Sequence, residues 1–348
     1  MDLRINPGKL SGTVQAPPSK SAAHRAMIIA GLRGLEIPKL DFCEDTAATY
    51  NGICSLVKAA RLGKRGSCLV DCGDSGSTLR FLLPAAAALG VVTAFKGSPR
   101  LAQRPIEELV NAMEEHGARF SGANLPFVVS GSLQPGQYRV SGDISSQFVS
   151  GLIMASIAVD GDCEIELTTN LVSKGYVELT RQMLASDKLP TDVSEVEGDW
   201  SAMANFIAAN ALGADIKIVG LKADSLQPDR CIGEKLLQLD KEIDITDCPD
   251  LAPILAAVGL VKRQNLIFKG EGRLIHKETD RLESIKRMLN GLINGRVDCQ
   301  NDHRIAMAAA IAASFLDHPV DLIGVECVSK SYPGFFKDYE LLRKQSED

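Results

Sequence analysis

Aromatic residues are scarce in this chain: one Trp, five Tyr and 11 Phe make up 5% of 348 residues. Surfaces that stack nucleic-acid bases need such rings in number, so that role is disfavoured. A basic surplus is also missing. Against 38 Lys and Arg stand 44 Asp and Glu, for a net charge of −6, whereas proteins that live on phosphate backbones usually carry a positive excess. No nucleic-acid partner is expected, and any anion binding must be local. Long apolar runs are absent too. None approaches the ~20 residues that a spanning helix needs, and the opening MDLRINPGKLSGTVQ holds no apolar stretch of signal-peptide length. No membrane association and a cytoplasmic location are expected. Of nine cysteines only Cys68 and Cys72 lie close together, and no second pair completes a metal-ligand spacing. The scatter predicts buried free thiols in a reducing compartment, with no metal.

What is present is a weak repeat. A length of 348 residues suggests two domains, and two domains imply a cleft. Six times a polar cluster of Ser, Thr, Asp or His is followed by an Ala-rich apolar stretch of helical length. The instances begin at Ser19, Gly73, Ser145, Asp199, Pro249 and Asp302. Self-similarity at such intervals implies repeated supersecondary units. The clusters carry good N-cap residues and the stretches are apolar all round, so buried helices are predicted. Between them lie β-branched runs (CLVDC, EIELTTN, ADIKIVGL, NLIFKG) and more polar helical segments (RPIEELVNAMEEHGA, DRLESIKRMLNGL). A helix N-terminus offers unpaired N–H groups and about half a positive charge, so several converging ends form an anion trap.

The clusters also bear chemical side chains. PPSKSAAHRA places Lys20, Ser21 and Arg25 at one helix start. CGDSGSTLRF, with Asp74 and Gly76, has glycines that let backbone approach a phosphate closely, but no Walker lysine follows. LAQRPIEEL sets Arg104 before a Pro at a predicted helix start. SSQF supplies Ser145, Ser146 and Gln147, and LVSKGYVEL supplies Ser173 and Tyr176. CPDLAP, HKETDR, NDHRIAM and VSKSYPGFF add Asp250, Lys277, Glu278, Arg281, His303, Arg304 and Lys330.

Taken in order, SKSxxxR, CGDSGST, RPIEEL, SSQF, LVSKGY, EGDWS, CPDLAP, KETDR, NDHRIAM and SKSYPGFF resemble the 3-phosphoshikimate 1-carboxyvinyltransferase family over nearly the whole chain. The resemblance implies an α/β fold, the two-domain enolpyruvyl transferase or inside-out α/β barrel, with three βαβαββ-type units per domain. The middle domain would be residues 19–197, and residues 1–18 plus 198–348 the second. It implies a monomer without cofactor, acting on shikimate 3-phosphate and phosphoenolpyruvate.

By the same resemblance Lys20, Ser21, Arg25, Ser145, Ser146, Gln147, Ser173, Tyr176, Asp250 and Lys277 would hold shikimate 3-phosphate. Lys20, Gly76, Arg104, Gln147, Arg281, Arg304 and Lys330 would hold phosphoenolpyruvate, and planar guanidiniums do suit its phosphate and carboxylate. Asp250 would take the substrate hydroxyl proton and Glu278 shuttle the proton at C3, with Lys20 assisting and Asp74 and His303 in support. Glyphosate, the family's inhibitor, would compete beside Gly76.

The chain is shorter than typical members. Residues are missing between Arg25 and Gly73, between Tyr176 and Asp199, and between Lys222 and Asp250, where trimmed surface hairpins are predicted. Two alternatives use the same features. UDP-N-acetylglucosamine enolpyruvyltransferases resemble this fold but typically carry Cys or Asp just before an Arg-Pro pair, where this chain has SPRLAQ. A catalytically inactive, anion-binding paralogue would fit the trimmed length, yet every acid, base and guanidinium of the reaction is present.

Overall fold

A computed structural model of the chain describes residues 1–63 and 66–344; the last four residues of the expected second domain lie outside it. The chain divides into two units, an inner one of Pro18–Val196 and an outer one of Met1–Pro17 with Glu197–Asp348.

Two strands of the outer unit come first, β1 (Asp2–Ile5) and β2 (Ser11–Gln15). The inner unit then opens with two helices, α1 (Lys20–Leu32) and α2 (Glu44–Ala60). After β3 (Ser67–Asp71) come α3 (Gly76–Ala88), β4 (Val92–Lys96), α4 (Glu107–Glu114), β5 (Ala118–Phe120) and β6 (Phe127–Gly131). The unit closes with β7 (Gly136–Val140), α5 (Ser146–Ala155), β8 (Cys163–Leu167) and α6 (Lys174–Ala185). Back in the outer unit run α7 (Trp200–Ala211), β9 (Asp215–Val219), the short α8 (Ile232–Leu236), β10 (Glu242–Asp244) and α9 (Ala252–Val261). The rest is β11 (Ile267–Lys269), α10 (Arg281–Asn294), β12 (Arg296–Asp298), α11 (His303–Ser314), β13 (Val320–Ile323) and α12 (Phe335–Lys344).

All six Ala-rich stretches are helices, namely α1, α3, α5, α7, α9 and α11, and each is buried along most of its length. Small side chains are what let such helices approach one another. A Cβ on Gly151 of α5 would stand 2.5 Å from the backbone oxygen of Arg80 in α3, so only glycine permits that crossing. Side-chain caps come from Ser19, Ser75, Ser145, Asp199 and Asp302. The stretch from Pro249 departs from the expectation. It has no side-chain cap, and the 3-10 turn Pro249–Leu251 leads into α9 instead. Residue Arg104 departs as well. It ends the 3-10 turn Leu101–Gln103, and α4 begins only at Glu107, so Pro105 precedes the helix rather than opening it.

Five of the buried helices are each flanked by a parallel strand pair: β3 and β4, β7 and β8, β2 and β9, β10 and β11, β12 and β13. Parallel neighbours require a crossover; in four pairs the buried helix is that crossover, and between β2 and β9 the chain runs through the inner unit before reaching α7. More polar, amphipathic helices pack on the strands as well, α4 against β5 and β7 and α10 against β12. The α/β fold with buried helices is thus present, with most units pared down. Among the described residues only the β3 to β6 unit has the full βαβαββ pattern, as a four-stranded sheet in the order β3-β4-β6-β5. Among the described residues, α1 and α2 have no strand between them.

Each unit has its own core, the inner around Met27, Leu82 and Phe148, the outer around Phe206, Leu255 and Phe335. The nine cysteines are free thiols, five of them buried and Cys54, Cys68, Cys163 and Cys231 only partly so. No helix among the described residues is long and apolar enough to cross a membrane.

Candidate active site

In the inner unit the first turns of α1, α2, α3 and α5 are tied together by side chains. Lys20, the first residue of α1, forms an ion pair of 2.7 Å with Asp45, the second residue of α2. The Thr78 hydroxyl in the first turn of α3 donates to the backbone oxygen of Asp45 at 3.3 Å. Gln147, second in α5, donates from Nε2 to Oγ of Ser77, second in α3, at 2.8 Å. Beneath them a buried chain of hydroxyls links His24 Nδ1 to Thr49 at 2.7 Å and Thr49 to Thr78 at 2.7 Å. Burial, together with Lys20 and Arg25, holds His24 well below its ordinary value, so it stays neutral.

Four helix ends therefore present their N–H groups together. Ser145 caps α5, and Ser146 is buried beside it. Ser21 follows Lys20 at the start of α1. Arg104 is buried against Gly76, whose added Cβ would meet the guanidinium at 2.6 Å. Asp74 lines a cavity of about 380 Å³ with Glu44, Asp45 and Gly73. Ser173, which precedes α6, is buried and has φ 51°, a left-handed conformation unusual for serine and typical of functional sites.

Arg25 lies deeper than its neighbours. Its Nε donates to Thr180 at 2.7 Å, Nη1 to the Ser21 oxygen at 2.8 Å and Nη2 to the Tyr176 oxygen at 3.0 Å. The guanidinium also stands 5.1 Å from the Phe81 ring centre, and burial lowers its pKa to about 10. In this arrangement it ties α1 to α6.

The outer unit repeats the device. Ser201, second in α7, accepts from Nη1 of Arg304, second in α11, at 2.6 Å. Arg304 Nη2 pairs with Asp250 Oδ2 at 2.9 Å. Asp250 Oδ1 accepts from Arg281 Nη1 at 2.8 Å and from Lys277 Nζ at 3.1 Å. Arg281 is fully buried and also donates to Glu278 and, at 2.9 Å, to Asp302, the cap of α11. Lys330 donates to the Asn301 oxygen at 2.8 Å, where Gln300 and Asn301 both have positive φ. His303, first in α11, is buried.

Burial works to raise the pKa of Asp250, but Arg304, Lys277 and Arg281 outweigh it and hold the carboxylate well below its usual range. Lys277 moves the other way. Burial lowers it to about 8, against the pull of Asp250. For Arg281, burial is outweighed by Asp302, Glu278 and Asp250, which raise it.

Several groups escaped the sequence reading. Asp45, Ser201 and Asp302 hold site cations; Ser201 and Asp302 lie within EGDWS and NDHRIAM, whereas Asp45 has no local signal. Asp229 is buried, and burial followed by the nearby Asp250 charge raises its pKa to about 6. Arg80 donates to Gln147, a charge in an apolar run that was legible but unassigned. Arg273 donates to the Thr246 oxygen at 2.9 Å.

Cation-lined gatherings of helix N-termini, one with a carboxylate held ionised among them, define an α/β protein that handles small polyanions. The family described as EPSP synthase (3-phosphoshikimate 1-carboxyvinyltransferase) matches residues 5–293 and 290–339. The 3-phosphoshikimate 1-carboxyvinyltransferase of Clostridium kluyveri is 36% identical over 412 aligned positions, covering 98% of this chain and 97% of that one. The Clostridioides difficile enzyme of the same name is 34% identical with equal coverage. Alignments longer than the chain mean that these relatives carry residues missing here. An EPSP synthase structure from Acinetobacter baumannii superposes with a TM-score of 0.72 at 18% identity over 98% of both chains, a likeness of fold. The chain belongs to the EPSP synthase family.

Proposed function

We propose that this chain transfers the enolpyruvyl group of phosphoenolpyruvate to the 5-hydroxyl of shikimate 3-phosphate, releasing phosphate. The observation that carries the reading is Asp250, held ionised by Lys277, Arg281 and Arg304, in a chain 36% identical to a namesake of that activity over 98% of its length. The reaction needs a base for the hydroxyl, an acid for C3 of the enol, and fixed positive charge for phosphate and carboxylate.

In the inner unit, Lys20, Ser21, Ser145, Ser146, Gln147, Ser173 and Tyr176 bind shikimate 3-phosphate, with Arg25 fixing Tyr176 through its backbone oxygen. Gly76 and Arg104, together with Lys20 and Gln147, receive phosphoenolpyruvate. In the outer unit, Arg281, Arg304 and Lys330 bind phosphoenolpyruvate, and Lys277 meets the shikimate ring. Asp250 takes the hydroxyl proton and Glu278 delivers one to C3, with Lys20 assisting and Asp74 and His303 supporting. Three cations crowd Asp250 and weaken it as a base. Arriving substrate anions compete for the same guanidiniums, so binding substrate relieves that restraint.

Release of inorganic phosphate from phosphoenolpyruvate only when shikimate 3-phosphate is added tests the activity. Phosphate release without it, or none with it, overturns the reading. Glu278→Gln tests the acid: turnover falls severely while shikimate 3-phosphate affinity holds, and unchanged turnover removes Glu278 from the mechanism. Size-exclusion chromatography checks the expected monomer.

A further inference from the structure

We infer that Arg80, in the second turn of α3, is a positioning residue that sets both the orientation of the Gln147 amide and the seat of the loop carrying Arg104. Its side chain is buried. Nη1 donates to Gln147 Oε1 at 2.9 Å, and Nη2 donates to the backbone oxygen of Pro105 at 3.1 Å. The guanidinium lies 5.4 Å from the Phe148 ring centre, which keeps it from swinging between its partners.

Chemistry fixes the consequence for Gln147. A guanidinium has donors only, so the amide must turn its oxygen to Arg80 and its NH2 the other way. One of the two amide N–H groups then donates to Ser77, and the other is directed to a ligand oxygen. Without Arg80 the amide could flip and offer an acceptor where an anion needs a donor. The Pro105 contact acts on the adjacent residue. Arg104 stands so close to Gly76 that a Cβ there would fall 2.6 Å from Nη1, so a small shift of this loop displaces the charge. Only arginine has two planar arms able to reach acceptors on separate elements, and the single ammonium of lysine cannot hold both. The inference rests on the reading of Gln147 and Arg104 as substrate ligands.

The test compares steady-state kinetics of Arg80→Lys, Gln147→Ala and the double variant, with thermal unfolding as the control on folding. Hydrogen bonds to a charged group are worth enough that Arg80→Lys should raise KM for both substrates about tenfold or more, with kcat within about twofold. In the Gln147→Ala background the same change should leave KM for shikimate 3-phosphate unaltered while still raising KM for phosphoenolpyruvate through Arg104. An unchanged KM in Arg80→Lys overturns the inference, as does an equal loss for shikimate 3-phosphate in both backgrounds, which would mark a merely structural role. If Gln147→Ala itself leaves KM unchanged, the reading of Gln147 as a ligand fails instead. Should Arg80→Lys not fold, Gln147→Glu decides. Its carboxylate keeps the Arg80 contact and loses the donor, so stability should hold while KM for shikimate 3-phosphate rises; a lower unfolding temperature overturns the assignment.

Discussion

The Arg104 guanidinium occupies the space that a side chain at residue 76 would need: an ideal Cβ on Gly76 comes within 2.6 Å of Nη1 and 2.8 Å of Cζ. Gly76 opens α3 with ordinary helical backbone, so alanine would fold there, and the flexible end of Arg104 would give way. Gly76→Ala is expected to raise KM for phosphoenolpyruvate about tenfold or more, since a charge-assisted contact is lost or misaligned. Glyphosate should weaken with it, and shikimate 3-phosphate should change little. Steady-state kinetics give the KM and isothermal titration the affinities of glyphosate and shikimate 3-phosphate; equal loss for all three ligands would contradict the prediction.

Lys277 makes binding depend on pH. Its ammonium titrates near 8 because burial opposes the charge, and a neutral amine cannot hold an anionic substrate. The kcat/KM for shikimate 3-phosphate, which reports the free enzyme, should therefore fall as pH rises through about 8. Lys277→Arg keeps its charge throughout that range. It should abolish the break, whatever it costs in absolute rate. A break that survives in the arginine variant would assign it to another group.

The six buried helices were legible because their signals are local. Ser19, Ser75, Ser145, Asp199 and Asp302 sit directly before the Ala-rich runs they cap, and a cap acts within its own first turn. The trimmed units were legible only as missing length. Strands of three residues, such as β10 and β12, are too short to display a period of two. What the sequence hides is where a charge points. Arg25 and Arg281 read as substrate ligands, and no local signal marks that both are buried and already donate to protein acceptors. The pairing of Lys20 with Asp45 joins residues 25 positions apart, and nothing in CEDT marks that aspartate. Asp229 has no local signal either: it lies in the 3-10 turn Pro228–Cys231, which packs against α7 and buries it.

Asp229 weakens the fold at neutral pH. Its carboxyl, raised from 3.8 to about 6 by burial and then by Asp250, binds a proton more tightly folded than unfolded. Folding stability therefore falls as pH climbs from about 4 to about 6 and stays lower above that. At about 1.4 kcal/mol per pH unit the full cost is ~3 kcal/mol. Asp229→Asn, of the same shape and without charge, should stabilise the protein by ~1–3 kcal/mol at pH 8 and by much less at pH 4.5. Urea unfolding at the two pH values measures this; an equal effect at both would mean that Asp229 is not the titrating group.

Arg281 is the counter-case, a buried cation that the outer unit cannot lose. Its guanidinium meets Asp250, Glu278 and Asp302, and it has no exposed surface. Replacing it with methionine fills similar volume but leaves those carboxylates facing one another without it. Removing one partner of a buried ion pair costs ~3–5 kcal/mol because the remaining charge is uncompensated, and Arg281→Met should reach that range at pH 7. Glu278→Gln, which removes one carboxylate and keeps the cation paired with two others, should cost far less. The deficit of Arg281→Met relative to the unaltered protein should narrow as pH falls toward 4, where the stranded carboxylates take up protons and their repulsion is relieved. Urea midpoints for both variants across that range provide the measurement. A deficit independent of pH would show that Arg281 stabilises the unit by packing rather than by charge.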